Sequence, residues 1–353
     1  DYVFYQPDLD GLLRRGLTRF DVVTTRFGDP APSLDDLLEQ SRFVVGCDGA
    51  SSPVRQRLGV ALDDLGYDEA WLVVDVLADH VPRAHGRLIQ QVCDPDRPTT
   101  YVPSHGRHHR WEFKLTARDE APDAWRLLHP WSITPRTAEL IRAVPYRFHA
   151  LVADRWRGGP DGRVVLAGDA AHQMPPFMGQ GMCTGLRDAA DLAWRLDEAL
   201  SSSSDVDAHL TAYECERSTH TRQIVELSIE SGRLIDRIAA DLAAGRTVDR
   251  PAPDVAGRWR WSRLPGLDLD GDFPVGHQVP QPTVDGQPLD DLLGDGWAWV
   301  AADDAFVAPD GRRVVVAPAA TMDARALLVR PDRYVTRAVH EQGRSAVSYE
   351  GRT

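Results

Sequence analysis

Two short apolar runs, Phe43-Val44-Val45 and Val164-Val165-Leu166, constrain this chain most, because each leads into a turn built of glycine and an acid and then into a helical pattern. The first passes through Gly46-Cys47-Asp48-Gly49 to Ser52-Pro53, where a helix starts that stops near Leu58-Gly59. The second ends in Gly168-Asp169, crosses Pro175-Pro176 and Gly179-Gln180-Gly181, and enters a helix expected over 181–200. Continuous apolar runs, as opposed to alternating ones, mark strands covered on both faces, as in parallel sheets. Open sheets of that kind place ligands at the carboxyl ends of their strands. Alone, Asp48-Gly49 also reads as an ordinary surface turn. The second turn is richer. A carboxylate at Asp169 suits a pair of ribose-type hydroxyls, and Gly179 and Gly181 uncover backbone N–H groups where a helix starts, which favours an electron-rich ligand atom. Gly179-x-Gly181 is not a dinucleotide fingerprint, since a loop and not a strand precedes it.

Between the two turns the pattern changes. Strands are expected over 71–78, 87–93, 109–116 and 146–152, and short helices over 123–128 and 136–143. Trp111, Phe113 and Leu115 alternate with Arg110, Glu112 and Lys114, so this sheet has one buried and one polar face. Trp111 and Phe113 read as core, and His172, behind a packed turn, reads as structural. Ahead of the first turn, Leu9, Leu12, Leu13, Leu17 and Phe20 predict a helix over 7–20. Behind the second, 207–242 reads as helix, Arg250-Pro251-Ala252-Pro253 marks a boundary, and short strands are expected over 296–301, 313–317 and 325–330. The fold class is therefore α/β. A Rossmann-like unit made of 1–65 and 151–245 carries an inserted β-sheet domain, 66–150, and a C-terminal domain, 255–353, follows.

A length of 353 residues with 42% hydrophobic residues supports packed cores and argues against bulk disorder. The balance of 40 Lys+Arg against 53 Asp+Glu gives a net charge of −13, which repels phosphate backbones and anionic lipid. Neither nucleic acid nor a membrane is an expected partner. Apolar stretches such as 71–77 are broken by Asp75 and fall short of the ~20 residues a spanning helix needs. With no secretory pattern visible, a cytoplasmic location is expected. Cys47, Cys93, Cys183 and Cys215 are scattered without zinc spacing, so reduced thiols and no metal site are expected.

Taken together, the two turns resemble the DG and GD motifs of the class A FAD-dependent aromatic monooxygenases, the group built on the p-hydroxybenzoate hydroxylase fold. The likeness extends to Cys93–Pro103, Arg110-Trp111-Glu112-Phe113, Pro175–Cys183 and Leu186-Arg187-Asp188-Ala189-Ala190, which resemble the branch containing 3-(3-hydroxyphenyl)propionate hydroxylase. Residues 326–335 resemble the thioredoxin-like tail of that branch. The resemblance implies FAD as cofactor, NADH or NADPH as electron donor, and a small phenolic acid plus O₂ as substrates. It implies that Gln6 reaches the ribityl or phosphate region and that Asp48 and Gly49 lie near the pyrophosphate. Gly168 and Asp169 would hold flavin hydroxyls, while Pro176, Gly179, Gln180, Gly181 and Met182 would line the isoalloxazine ring. Arg110 and Lys114 are candidates for pairing with a substrate carboxylate, the alternative being a solvated strand face. No catalytic side chain is singled out, and a homodimer is left open.

The family's G-x-G-x-x-G strand–turn–helix has no counterpart in this sequence, which starts at Asp1. The expectation is that an N-terminal βαβ unit is missing and that burial is incomplete at both apolar strands. The alternative to an active hydroxylase is then a non-catalytic remnant that binds flavin weakly or not at all.

Overall fold

The computed structural model describes residues 5–84, 88–116, 119, 121–201, 205–248, 263–264, 274–318 and 324–340. The chain opens with helices α1 (Gln6–Leu17) and α2 (Leu34–Gln40), then strand β1 (Val44–Gly46) and helix α3 (Pro53–Arg57). There follow β2 (Leu62–Ala78), β3 (Gln90–Val92), β4 (Thr99–Pro103), β5 (His108–Lys114), α4 (Ala124–Leu128) and β6 (Ala138–Ala153). The chain returns through β7 (Arg157–Gly158), β8 (Val164–Leu166) and β9 (His172–Gln173) to the long helices α5 (Gly181–Ser201) and α6 (Val206–Ala243). The C-terminal part holds β10 (Thr283–Val284), β11 (Gln287–Pro288), helix α7 (Leu289–Leu293), β12 (Ala298–Ala301), β13 (Arg313–Val316), β14 (Ala326–Val329) and β15 (Val335–Val339). The boundary expected at 250–253 lies outside the described residues.

The two apolar runs are neighbours, as their pattern requires. β1 and β8 pair in parallel with Val44 opposite Val164 and Gly46 opposite Leu166, and β7 closes the other edge of β8. Val164, Val165 and Leu166 are completely buried, under a cluster that includes Trp156, Leu192, Leu210 and Tyr213 of the flanking segments. The expected incomplete burial is thus absent at β8, because β7 and helices α5 and α6 cover it. At β1 the expectation stands, with Val45 39% exposed. Helix α1 buries none of its residues; Leu12 and Leu13 of its apolar stripe are exposed.

The large antiparallel sheet has six strands in the order β3-β4-β5-β2-β6-β9, and takes in β9 from beyond β8. Trp111 and Phe113 pack with Leu72, Val74, Val76 and Tyr101 against Leu128 and Trp131, which fixes one face as core. The helix expected over 136–143 is instead the start of β6. Its pairing with β2, from Ala138 opposite Ala78 to Tyr146 opposite Trp71, overrides the local helical pattern. Pro145 sits opposite Leu72 in this ladder, on a strand whose other edge β9 pairs only at Leu151 and Val152. β2 also begins earlier than its sequence suggests, with a register shift between Asp64 and Asp68.

The C-terminal sheet, ordered β13-β12-β14-β15, has β12 parallel to β13 and antiparallel to β14. It is joined to the helices by a buried charge cluster. Arg330, 3% exposed, donates from Nη1 to Glu216 Oε2 (2.8 Å), from Nη2 to Asp191 Oδ1 (2.9 Å) and from Nε to Asp332 Oδ1 (2.9 Å). Arg195 donates to the same Asp191 and Glu216 oxygens, and both guanidiniums lie over the Trp194 ring. Burial pushes the Asp191 carboxyl above the usual carboxylate range in spite of the two arginines. Among the described residues no helix is long and apolar enough to cross a membrane.

Removing one partner of a buried, hydrogen-bonded ion cluster strands the others without compensation, typically at about 3–5 kcal/mol. Arg330→Ala is therefore expected to lower the unfolding free energy by about that amount. Urea titration followed by circular dichroism checks it.

Candidate functional site

The site grows from the carboxyl ends of β1 and β8. Beyond β1, Asp48 is not a free acid. Its Oδ2 accepts the Val54 amide (2.9 Å) and its Oδ1 accepts the Ser52 hydroxyl, so it caps α3 together with Ser52, which takes the Arg55 amide at 2.9 Å. The capped helix delivers Arg55 inward. Its Nη2 donates to Ala50 O and its Nη1 to Ala170 O, both at 2.8 Å, and Gln173 Nε2 adds a second bond to Ala50 O at 3.1 Å. Ala50 follows Asp48-Gly49 and Ala170 follows Gly168-Asp169, so one buried guanidinium ties the two turns into a single structure.

A second buried anchor lies under Gly168. Asp188 of α5 is 0% exposed and accepts the Gly168 amide (3.0 Å), His172 Nε2 (2.8 Å) and Arg217 Nε of α6 (2.9 Å). Burial raises the carboxyl, but His172, Arg217 and the Gly168 amide outweigh it and bring it down to about 2. The sequence needs glycine on both sides of this contact, because a Cβ on Gly185 would meet Gly168 Cα at 3.3 Å. His172, 1% exposed and stacked on Trp156, is structural as its position in the sequence implied.

What remains uncommitted faces outward. Asp169 is exposed and makes no hydrogen bond or ion pair among the described residues. Gly179 turns the chain at φ +62° into α5, with nothing within 4 Å of the place a Cβ would take. The first turn of α5, beginning at Gly181 and Met182, presents amides that the helix cannot pair internally. Gln180, in contrast, is buried and spent on Met178 O and Arg187. A free carboxylate for hydroxyls beside unpaired helix amides for an electron-rich atom fits a flavin nucleotide. Gln6 stands exposed at the start of α1 and makes no contact with these turns among the described residues.

The sheet reaches the site through Pro176-Phe177-Met178. Phe177 packs edge-on against Trp71 (centroids 5.4 Å) and Tyr67 (5.8 Å), on the face opposite the core. Cross-strand registers place Trp71, Val73 and Asp75 of β2, Thr100 of β4, Arg110, Glu112 and Lys114 of β5, and Arg142 of β6 on that face. Arg110 and Arg142 both close on Asp75, at 2.7 Å each, and Lys114 is held by Asp236 (2.7 Å) and Glu69 (3.0 Å). Arg110 and Lys114, the candidates for a substrate carboxylate, are thus already paired within the protein, and neither is a solvated bystander. Glu112 is the exception. It is 7% exposed and has no hydrogen-bond or ion-pair partner among the described residues, and burial pushes its carboxyl up to about 7 although Arg110 pulls the other way. Arg55, Asp188, Arg217 and Glu112 were not singled out in the sequence. Asp188 and Glu112 at least sit in stretches that carry the resemblance, whereas nothing local marks Arg217.

The chain matches the family described as FAD binding domain over residues 21–228. It is 37% identical to "Probable NADH-specific resorcinol 4-hydroxylase" of Rhodococcus jostii (strain RHA1), across 85% of this chain and 61% of that protein. It is 31% identical to the 3-(3-hydroxy-phenyl)propionate/3-hydroxycinnamic acid hydroxylase of Mycobacterium sp. (strain JLS), across 84% and 58%. The chain therefore spans about three fifths of the length of these curated relatives. Among solved structures, the substrate-free rebeccamycin biosynthetic enzyme REBC shares the fold with a TM-score of 0.64 at 22% identity, covering 85% of this chain and 64% of the other. Aklavinone-11 hydroxylase in complex with FAD and aklavinone does so at 0.61 and 23%, with coverage of 85% and 64%.

A carboxyl whose pKa is raised on folding binds its proton more tightly in the native state, so its contribution is most favourable at low pH and declines as pH rises from the ordinary value of 4.5 through about 7. Glu112→Gln removes that penalty. The variant is expected to match the parent near pH 4 and to exceed it on the order of 3 kcal/mol at pH 8. Paired melting curves at the two pH values check the sign.

Proposed function

Since the chain belongs to the FAD binding domain family, we propose that it acts as an FAD-dependent hydroxylase of a phenolic ring, drawing electrons from NAD(P)H and its oxygen atom from O₂. The observation that carries this reading is the free Asp169 carboxylate beside the start of α5, at the end of a strand whose turn is fixed from below by Asp188. Asp169 would hold flavin hydroxyls, the amides of Gly181 and Met182 would face the electron-rich edge of the ring, and Pro176 and Gly179 would shape its seat. Asp48 and Gly49 contribute the companion turn. The flavin, when bound, supplies the electron transfer and oxygen activation; the protein orients it, positions the phenol and excludes water.

In this reading 1–65 and 151–245 form the cofactor unit, the sheet of 66–150 forms the lid over the substrate, and 255–353 is a thioredoxin-like tail. Phe177 on Trp71 joins the cofactor seat to the lid. The names of the relatives, an NADH-specific resorcinol hydroxylase and a hydroxyphenylpropionate hydroxylase, support a small phenol as substrate and favour NADH as the donor. Nothing in these comparisons favours the non-catalytic alternative.

Asp169→Ala deletes one or two hydrogen bonds to a charged acceptor, at ~1.5–3 kcal/mol each. The expected result is a loss of FAD affinity of at least about tenfold with an unchanged melting temperature for the flavin-free chain. Fluorescence titration with FAD checks it, and equal affinity in the variant would remove Asp169 from the site. Phenol-dependent consumption of NADH by the FAD-supplied chain tests the activity itself.

A further inference from the structure

The polar face of the sheet holds one group that the cofactor site does not use. Glu112 lies in a cross-strand row running from Gln91 through Thr100 and Glu112 to Val73 and Val144. Thr100 is occupied, since its hydroxyl donates to Gln91 Oε1 at 2.8 Å. Val73 offers no polar atom. Arg110, two residues along the same strand, is forked onto Asp75 by Nε (2.7 Å) and Nη2 (3.3 Å), and Arg142 reaches the same carboxylate from β6. Lys114 is turned to Glu69 and Asp236. Among the described residues of this face, Asp75, Arg110, Arg142 and Lys114 therefore have partners and Glu112 has none.

A carboxyl without a hydrogen-bond partner on a residue 7% exposed is an expensive arrangement, because burial removes most of its hydration and leaves its oxygens only residual contact with solvent. Proteins retain such a group where a ligand completes it. The row is accessible from one side: on β6, Val144 is 45% and Tyr146 50% exposed, next to the buried Val73 and Trp71 that they pair with. An aromatic ring on that apolar strip, beside Phe177 and Trp71, would bring a ring substituent toward Glu112. Burial raises the acid to about 7 against the pull of Arg110, so it can accept a hydrogen bond when ionised and donate one when protonated. A phenolic O–H matches both states, whereas an ether oxygen matches only the second.

We propose that Glu112 is the residue that holds the ring hydroxyl of the phenolic substrate, by a direct hydrogen bond to its carboxyl group. This rests on the hydroxylase reading above, and it assigns the substrate's polar contact on this sheet to a lone acid, with Arg110 and Lys114 keeping the sheet's own ion pairs.

The test is a binding cycle that changes ligand and protein together. Resorcinol and 1,3-dimethoxybenzene, which has the same ring without O–H groups, are titrated calorimetrically into the FAD-supplied full chain at pH 8. The parent protein, Glu112→Gln and Glu112→Leu are compared. A site built to bond a hydroxyl discriminates strongly against the analogue that lacks it. The parent should bind resorcinol at least about tenfold more tightly than the diether. That ratio should survive in part in Glu112→Gln and fall to near one in Glu112→Leu. A merely structural role would shift melting temperature and leave the ratio alone. Equal ratios in all three proteins, no preference in the parent, or no binding of either ring overturns the proposal. If Glu112→Leu does not fold, the parent ratio and the isosteric Gln variant still decide it. Flavin absorbance of the same samples reads the hydroxylase assignment separately: a chain that takes up no FAD yet keeps a Glu112-dependent ratio contradicts that assignment and not this one.

Discussion

The Arg55 guanidinium is the interaction on which the rest of the site depends. Its two 2.8 Å bonds, to Ala50 O and Ala170 O, join turns that are remote in sequence and that follow the only parallel strand pair of this sheet among the described residues. The acids of the two turns are used differently: Asp48 is bonded within its own turn and Asp169 is exposed. Asp48 is consumed in capping α3, and that cap is what aims Arg55 at the second turn. Asp188 then fixes Gly168 from beneath, with Arg217 of α6 balancing its charge. Buried charges are costly when unpaired, so this arrangement permits little alternative packing. What it leaves free, Asp169 and the first amides of α5, is held in place without being used up.

The same logic separates structural from functional polarity elsewhere. At the junction of α5, α6 and the C-terminal sheet, two arginines and three acids close on one another, and their role is to join elements. On the polar face of the large sheet, Asp75, Arg110 and Arg142 likewise satisfy themselves. Glu112 does not, and its raised pKa is the price of that isolation. A folded chain that keeps a destabilising acid on the sheet face where Phe177 packs gives up stability there, and the proposed contact with substrate accounts for it.

Much of this was legible in the sequence because it depends on local pattern. Continuous apolar runs gave the buried β8, alternation gave both faces of β5, and the glycine–acid turns marked the strand ends where the site forms. The long helices α5 and α6 were expected over 181–200 and 207–242, the second from its apolar spacing. Other parts depend on pairing between distant segments. The stretch 136–143 carries a helical pattern, yet β2 claims it as a strand, and only the partner's register reveals that. Asp188 and Arg217 look like ordinary polar positions on two helices until α5 and α6 pack and bring them under Gly168. Arg110 and Lys114 were recognisable as a charged strand face, but their pairing with Asp75, Glu69 and Asp236 arises from two other elements, β2 and α6. For the same reason the isolation of Glu112 could not be read, since it requires knowing where every neighbouring charge has gone.

The central claim is that the two turns make one cofactor cradle, joined by Arg55. Fluorescence titration of FAD into the chain and into Arg55→Leu tests it most directly, with circular dichroism showing that the variant keeps its helices and sheets. The account predicts saturable binding at one FAD per chain for the parent and a loss of at least about tenfold in Arg55→Leu, as expected when a charged group's two hydrogen bonds are removed. Equal affinities in two equally folded proteins would contradict it.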